Sequence, residues 1–410
     1  MSSPERAASH LVADLHLHSR FSSRASRHAT LQALAGAARA KGIDLLATGD
    51  FTHPDWLAEL RSGLSEAGEG VYAHGGVRFV LGTEVSCIWE QAARGRRVHL
   101  LVLAQGFRTA SAIRHRLCPH GDLRVNGRPH LKISAERLAS LVWDADPLCV
   151  VIPAHVWTPW YGAFGSKSGF DSLDECFGEA ASGIRAVETG LSSDPAMNWR
   201  IRQLDGRAIV SFSDAHSPAK LGRELTVFDA EPTFPALRGA IERGAIVETV
   251  EFHPEHGKYH YDGHRSCRAR LHPRESREAG GTCPRCGRPL TLGVLHRVED
   301  LAAREVTLRR EAGGLLRGPA GRPPFRTLLP LRELLSQALG AGTGSKRVTR
   351  LYEALASELG GEYRVLAAAP RADLEAIAGP AVAAAVCAVR EGHLTIEPGY
   401  DGAWGKVSIQ

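Results

Sequence analysis

The 410-residue sequence predicts an α/β protein built on a closed barrel of strands, followed by a zinc-binding module and a small, mainly helical domain. Three observations carry this. Seven short, almost wholly apolar runs recur through the first 250 residues, most of them separated by helical patterns. A Cys-x-x-Cys pair, Cys283 and Cys286, stands inside an arginine-rich stretch. From Phe325 onward the pattern turns helical. A chain of this length exceeds one ordinary domain. The expected divisions are 1–250 for the barrel, 251–315 for the zinc module and 316–410 for the helical domain.

Composition narrows the class. Hydrophobic residues at 43% and charged residues at 23% are the proportions of a soluble globular protein. No apolar run approaches the roughly 20 residues needed to span a bilayer, and the polar N-terminus does not resemble a signal peptide. A cytoplasmic protein with no membrane partner is expected. The eight cysteines are scattered apart from the one pair, which argues for a reducing compartment and a metal site rather than a disulfide framework. Net charge is only +5, but residues 265–310 hold 11 Arg against 5 Asp or Glu, 11 − 5 = +6. A local basic block of this kind suits a polyanionic partner.

The apolar runs, in order, are 11–18, 43–50, 77–84, 97–104, 148–155, 184–188 and 208–216. Helical patterns cover 31–41, 54–64, 134–144 and 235–243. Strands alternating with helices imply parallel strands joined by right-handed crossovers, and seven or eight such units close most simply as a barrel. Chemistry then collects at the C-terminal ends of the strands. His16 and His18, two apart, share one face of the first run, beside Asp14. Asp50 and His53 follow the second run and Glu84 ends the third. His99 lies in the fourth, His155 ends the fifth, and Asp214 with His216 ends the seventh. Any one of these is readily a core or rim residue. The same coincidence on six of seven strands points instead to a metal centre.

The motifs His16-Leu-His18, Thr48-Gly-Asp50-Phe-Thr-His53, Glu84, His99, Pro153-Ala-His155 and Ser213-Asp214-Ala-His216 resemble those of the polymerase and histidinol phosphatase superfamily. The resemblance implies a distorted seven-stranded barrel carrying a two- or three-metal phosphoesterase site. It implies one metal on His16, His18, Glu84 and Asp214, and a second on Glu84, His99 and His155. A third would lie near Asp50, His53 and His216, although Arg24 stands where many members carry a further histidine. A phosphodiester is anionic and repels nucleophiles, so its hydrolysis calls for cations that neutralise it and ionise an attacking water. Mixed histidine and carboxylate ligands suit Zn²⁺ or Mn²⁺, with Mg²⁺ a further candidate activator.

Two insertions follow. In 106–132, Asn126-Gly127 marks a tight hairpin flanked by Arg124 and Arg128. It reads equally as a solvated turn or as a clamp on backbone phosphate. After His155 come Trp157, Trp160, Tyr161 and Phe164, with Lys167 close behind. Flat rings beside a phosphate site suit stacking on an unpaired base, the plainer alternative being a small core over the barrel mouth. In the zinc module Cys267, Cys283 and Cys286 offer three thiolates, and His264 or His272 would complete the shell. His264 is preferred, because His-x-x-Cys repeats the spacing of Cys283-x-x-Cys286. Helical patterns then cover 328–339, 348–359 and 372–389. The glycine-rich turn before Lys346 and Arg347 is either a grip on DNA phosphate or a plain connection. The stretch from Tyr400 to Gly405 reads as a closing turn without chemistry.

The whole arrangement resembles endonuclease Q over nearly all of the chain, most specifically at 48–54, 164–175, 211–222, 257–265 and 283–297. The resemblance implies cleavage of DNA 5′ to deaminated bases (uracil, hypoxanthine, xanthine) and at abasic sites, with Glu84, Asp214 and His216 in the catalytic set. It implies two or three barrel Zn²⁺ and one structural Zn²⁺. Implied partners are double- or single-stranded DNA containing damaged bases, together with replication or repair proteins. The competing enzyme class is a small-molecule phosphatase of the histidinol phosphatase type. A non-catalytic DNA-binding protein is the third class.

Overall fold

Each of the seven apolar runs contributes a strand in the computed structural model, which describes residues 10–410. The strands are β1 (His10–Asp14), β2 (Leu45–Ala47), β3 (Val77–Gln91), β4 (Arg94–Ala104), β5 (Val150–Pro153), β6 (Ala186–Glu188) and β7 (Ala208–Val210). β1, β2 and β3 pair in parallel, and β6 pairs in parallel with β7. The ring closes between β5 and β6 through Val156 N–H donating to Glu188 O at 3.1 Å, and between β7 and β1 through the Leu17–Ala215 bridge.

The fourth strand departs from the all-parallel expectation: β4 runs antiparallel to both β3 and β5. No helical pattern separates the third and fourth runs. The two-residue turn Ala92–Ala93, with φ of 52° and 57°, joins them as a hairpin. A connection that short cannot make a parallel crossover, and the barrel is distorted there.

Alternation along the strands sorts the core into two layers. Leu45 and Ala47, Leu101 and Leu103, Val150 and Ile152, and Ala208 and Val210 fall in one apolar cluster, the barrel lumen. Their neighbours Leu46, Leu100, Val102, Val151 and Ile209 fall in the other, packed against helix residues such as Leu34, Trp56 and Leu138. Strands buried on both faces read in sequence as continuous apolar runs, which is why these were legible.

The sheet continues past residue 250, the expected end of the barrel. Strand β8 (Leu225–Asp229) pairs antiparallel with β1, β9 (Ile246–Glu251) pairs antiparallel with β8, and β10 (Phe325–Thr327) adds in parallel to β9. The expected helix 372–389 is two helices, Arg371–Ala378 and Pro380–Glu391, parted at Gly379 because Pro380 has no N–H to continue the ladder. The chain ends in a hairpin, Leu394–Glu397 with Lys406–Ile409, whose connection is the closing turn. Among the described residues no helix is long and apolar enough to cross a membrane.

Candidate metal centre and its surroundings

The ligand candidates sit where strands run out into tight bends. Asp50, His155 and Asp214 have φ of 50°, 31° and 46°, left-handed values that a non-glycine residue adopts only at a cost of about 1–3 kcal/mol. The surrounding fold holds them there, and the bends aim their side chains across one end of the barrel.

Two groups result. The ligand atoms of His16, His18, Glu84 and Asp214 all lie within 4.8 Å of one another, as do those of Glu84, His99 and His155. Glu84 belongs to both. Its Oε1 is 2.7 Å from His99 Nδ1 and 3.1 Å from His155 Nε2, while its Oε2 is 3.2 Å from His18 Nε2. Asp214 Oδ1 stands 3.4 Å from His16 Nε2 and 3.2 Å from His18 Nε2.

Other groups fix the rings from behind. His16 Nδ1 lies 2.9 Å from Glu188 Oε1, His18 Nδ1 lies 3.0 Å from Asp50 Oδ1, and His155 Nδ1 lies 2.9 Å from Thr158 Oγ1. An acceptor on one ring nitrogen sets the tautomer and leaves the other lone pair for a cation. His16 Nε2, His18 Nε2 and Asp214 Oδ1 are buried without a hydrogen-bond partner. Orphaned buried polar atoms are costly, and a bound cation satisfies such a set. The residues therefore fit a metal.

The electrostatics agree. Burial pushes the His99 imidazole down to about 3, which keeps it neutral and able to ligate. Burial also opposes charge on His16, but Glu188, Asp214 and Glu84 overcome it and raise that ring well above the ordinary histidine value. Burial likewise disfavours the Glu84 carboxylate, yet His99, Arg128 and His16 hold its pKa well below the usual range. Several buried carboxylates on a few rings make a pocket that attracts cations.

The implied third group is not assembled. Asp50 has both oxygens committed: Oδ1 to His18, and Oδ2 accepting from Ser19 N–H at 2.7 Å and Ser19 Oγ at 2.6 Å. His53 Nε2 is engaged by Arg124 O at 2.9 Å, and its ring stacks on Phe21. His216 packs its ring 4.4 Å from that of His18, with Nδ1 at 2.9 Å from Asp214 O. Asp50 and His216 brace the first group, and His53 holds the segment at Arg124, so the three form no shell of their own.

Asn126-Gly127 makes no hairpin. Asn126 plugs the loop after His18, its Oδ1 accepting from Ser23 N–H at 2.9 Å. Gly127 lies so close to Asp50 that a Cβ there would fall 2.4 Å from Oδ2. This close approach sends Arg128 inward, where its Nη1 sits 3.1 Å from Glu84 Oε2, while Arg124 stays on the surface.

The aromatic loop divides. Trp157 is buried, donating from Nε1 to Asn198 Oδ1 at 2.9 Å and packing on Phe164, so it is core and not a base platform. Trp160 is 51% exposed. Tyr161 carries a left-handed φ of 72°, places its ring 4.3 Å from that of His99, and accepts from His99 N–H at 2.9 Å. Lys167 is exposed.

In the cysteine-rich module His264 joins Cys267, Cys283 and Cys286 as a group that could hold a metal ion, with His264 Nδ1 at 3.3 Å from Cys286 Sγ. His272 instead caps the helix Pro273–Glu278, accepting from Arg274 N–H. Burial works against the Cys283 thiolate, but the amides of Arg285 and Cys286 and the His264 ring pull it down to about 6, favouring the ligating form. Cys283→Ser is expected to lower metal content by one per chain, leave any metal of the barrel groups, and speed proteolysis within 257–297. Elemental analysis and limited digestion check this; unchanged metal content would mean the module stands on packing alone. Much of the arginine block is spent internally: Arg297 donates to Phe164 O and Phe170 O at 3.0 Å, bracing the aromatic loop. Lys346 opens the helix Lys346–Glu358, exposed and capped by Ser345.

Glu188 was not singled out by sequence reasoning. It ends the sixth apolar run, and an acidic residue closing a buried strand was the available signal.

Residues 330–393 match the family model described as the MJ0043 C-terminal domain. The chain is 33% identical over 262 residues to MJ0043 of Methanocaldococcus jannaschii, covering 62% of this chain and 31% of that protein, so it spans about a third of that relative's length. It is 30% identical to YqxK of Bacillus subtilis, covering 97% of this chain and 99% of that protein. Two solved structures superpose over 98% of the chain at 31% identity. One is the lesion-specific endonuclease PfuEndoQ from Pyrococcus furiosus, with a TM-score of 0.86 over 96% of its chain. The other is Endonuclease Q in complex with a 27-mer duplex substrate bearing an abasic lesion at the active site, with a TM-score of 0.84 over 97% of its chain.

Proposed function

This chain belongs to the endonuclease Q family, and from that premise we propose that it is a metal-dependent DNA-repair endonuclease that cleaves 5′ to deaminated bases and at abasic sites. The observation that carries the reading is Glu84, one buried carboxylate shared by two ligand groups, with the ring of Tyr161 packed on His99 of the second. A small-molecule phosphatase of the histidinol phosphatase type would leave the zinc module and the C-terminal helices without a task.

Cations held by His16, His18, Glu84 and Asp214, and by Glu84, His99 and His155, would neutralise the phosphodiester and ionise the attacking water. We assign Zn²⁺ to these sites and to the cysteine cluster, with Mn²⁺ or Mg²⁺ able to activate. Glu188 and Asp50 hold His16 and His18 in ligating tautomers. Arg128, anchored on Glu84, offers its remaining donors to phosphate oxygens. His216, at the rim beside Asp214, is placed to move a proton. Trp160 and Tyr161 provide faces for a nucleotide drawn from its stack. Lys346, Arg124 and Lys167, all exposed, take backbone phosphate. We place the protein in the cytoplasm, a setting that its eight free cysteines suit.

Labelled duplexes, each with one uracil, hypoxanthine, xanthine or abasic site, test this directly. Cleavage should leave the lesion at the 5′ end of the downstream fragment and a 3′-hydroxyl upstream, with the undamaged duplex intact. Equal cutting of undamaged DNA would sink the specificity. No cutting with Zn²⁺, Mn²⁺ or Mg²⁺ would sink the activity.

Trp160→Ala is expected to slow lesion-dependent cutting about tenfold, the scale of one lost base stack, with metal content unchanged. Tyr161→Ala should slow it as well and also lower occupancy at His99, since that ring packs on the ligand. Normal nicking by both variants would make these rings packing only.

A further inference from the structure

Trp404, in the closing turn, is 67% exposed, more than any other tryptophan among the described residues. Its mount is tightly built. Gly399 N–H donates to Glu255 O at 2.8 Å, Gly402 N–H to Lys258 O at 3.0 Å, and Gly405 N–H to His256 O at 3.0 Å. At Gly405 a Cβ would fall 2.1 Å from Glu255 O, so nothing larger than glycine allows the turn to sit this close. The fold thus fixes the turn while leaving its largest apolar side chain in water.

The turn lies at the end of the barrel that carries the ligand groups. β9 is antiparallel to β8, and β8 to β1, so β9 leaves the sheet at the same end as His16 and His18. The turn Pro254–His256 follows β9 and packs against Gly190–Ser192, just beyond Glu188. On that footing stands Trp404, next to the segment after β6, whereas Trp160 rises from the segment after β5.

The surroundings of Trp404 are cationic. Lys258 Nζ lies 4.7 Å from its ring centroid. Arg265 is tied to the turn by its backbone, N–H donating to Asp401 Oδ2 at 2.6 Å, while its exposed guanidinium makes no hydrogen bond or ion pair. An aromatic ring with Lys258 held over it and the unpaired guanidinium of Arg265 on the same turn matches a nucleobase and its phosphates. A protein hot spot would instead sit in an apolar, desolvated pocket.

We propose that Trp404, with Lys258 and Arg265, is a second stacking platform, which takes the base left without a partner when the lesion nucleotide leaves the duplex. The inference rests on the endonuclease reading. Opening a base pair creates two unstacked nucleotides, and the chain presents two exposed tryptophans at this end of the barrel.

The test uses the full chain in an Asp214→Asn background, so that the duplex stays intact, with an abasic duplex carrying 2-aminopurine opposite the lesion. Trp404→Ala should weaken binding about tenfold, the scale of one lost base stack. It should also abolish the quenching of 2-aminopurine, and Trp404→Phe should restore most of both. Lys258→Ala should weaken binding less and lower the salt slope by about one. Metal content and thermal stability should not change. If Trp404→Ala and Lys258→Ala both bind and quench as the parent does while the unmutated chain nicks lesion duplexes, the platform is overturned and the endonuclease reading stands. If the unmutated chain neither binds nor nicks any lesion duplex, the endonuclease reading fails and the platform falls with it.

Discussion

Glu84→Gln is expected to empty both ligand groups of the barrel and to lower the nicking rate by about three orders of magnitude, the upper range for removing a strong electrostatic stabiliser. The carboxylate is the shared member: one oxygen faces His99 and His155, the other His18 and Arg128. Glutamine keeps the volume but lacks the charge and presents a donor where a ligand is needed. It also removes the anion that holds Arg128, whose guanidinium would then stand beside the histidines and repel incoming cations. Elemental analysis should show two metals lost per chain and the metal of the cysteine cluster kept. A variant with full barrel metal content would refute the bridging role.

Asp214→Asn is expected to slow nicking by at least about two orders of magnitude while leaving DNA binding nearly unchanged. Asp214 Oδ1 stands 3.4 Å from His16 Nε2 and 3.2 Å from His18 Nε2 without a hydrogen-bond partner, the position of a ligand to a cation held by those rings. Only the first ligand group uses it, and occupancy should fall there and not at His99 and His155. The left-handed φ of 46° is tolerated by asparagine about as well as by aspartate, so the fold should survive. Single-turnover cleavage and binding anisotropy on one abasic duplex separate the two effects. Wild-type-like nicking would remove Asp214 from the assignment.

Much was legible in the residues alone. The seven apolar runs show as strands because a strand buried on both faces needs an uninterrupted apolar stretch, a local demand. The ligand types show for a similar reason, since histidines and carboxylates at strand ends have few other uses in such number. His264 could be preferred over His272 on spacing, because Cys-x-x-Cys and His-x-x-Cys each describe one short turn.

Tertiary structure decided what each residue touches. Asp50 and His53 look like ligands beside their strand. Yet Asp50 is drawn to His18 and Ser19, more than 30 residues away, and His53 to Arg124, 71 residues away. Glu188 acquires its role only by meeting His16 across 172 residues. Trp157 and Trp160, three apart on one loop, part between core and solvent because Asn198 receives one while the other meets the Arg97 guanidinium and stays half in water. Asn126-Gly127 has the composition of a hairpin but serves as a plug, since the space beside Asp50 admits only glycine. Periodicity and residue chemistry are local and travel with the sequence. Which partner satisfies a buried polar atom depends on chain segments brought together by the closed barrel, and no local pattern encodes that choice.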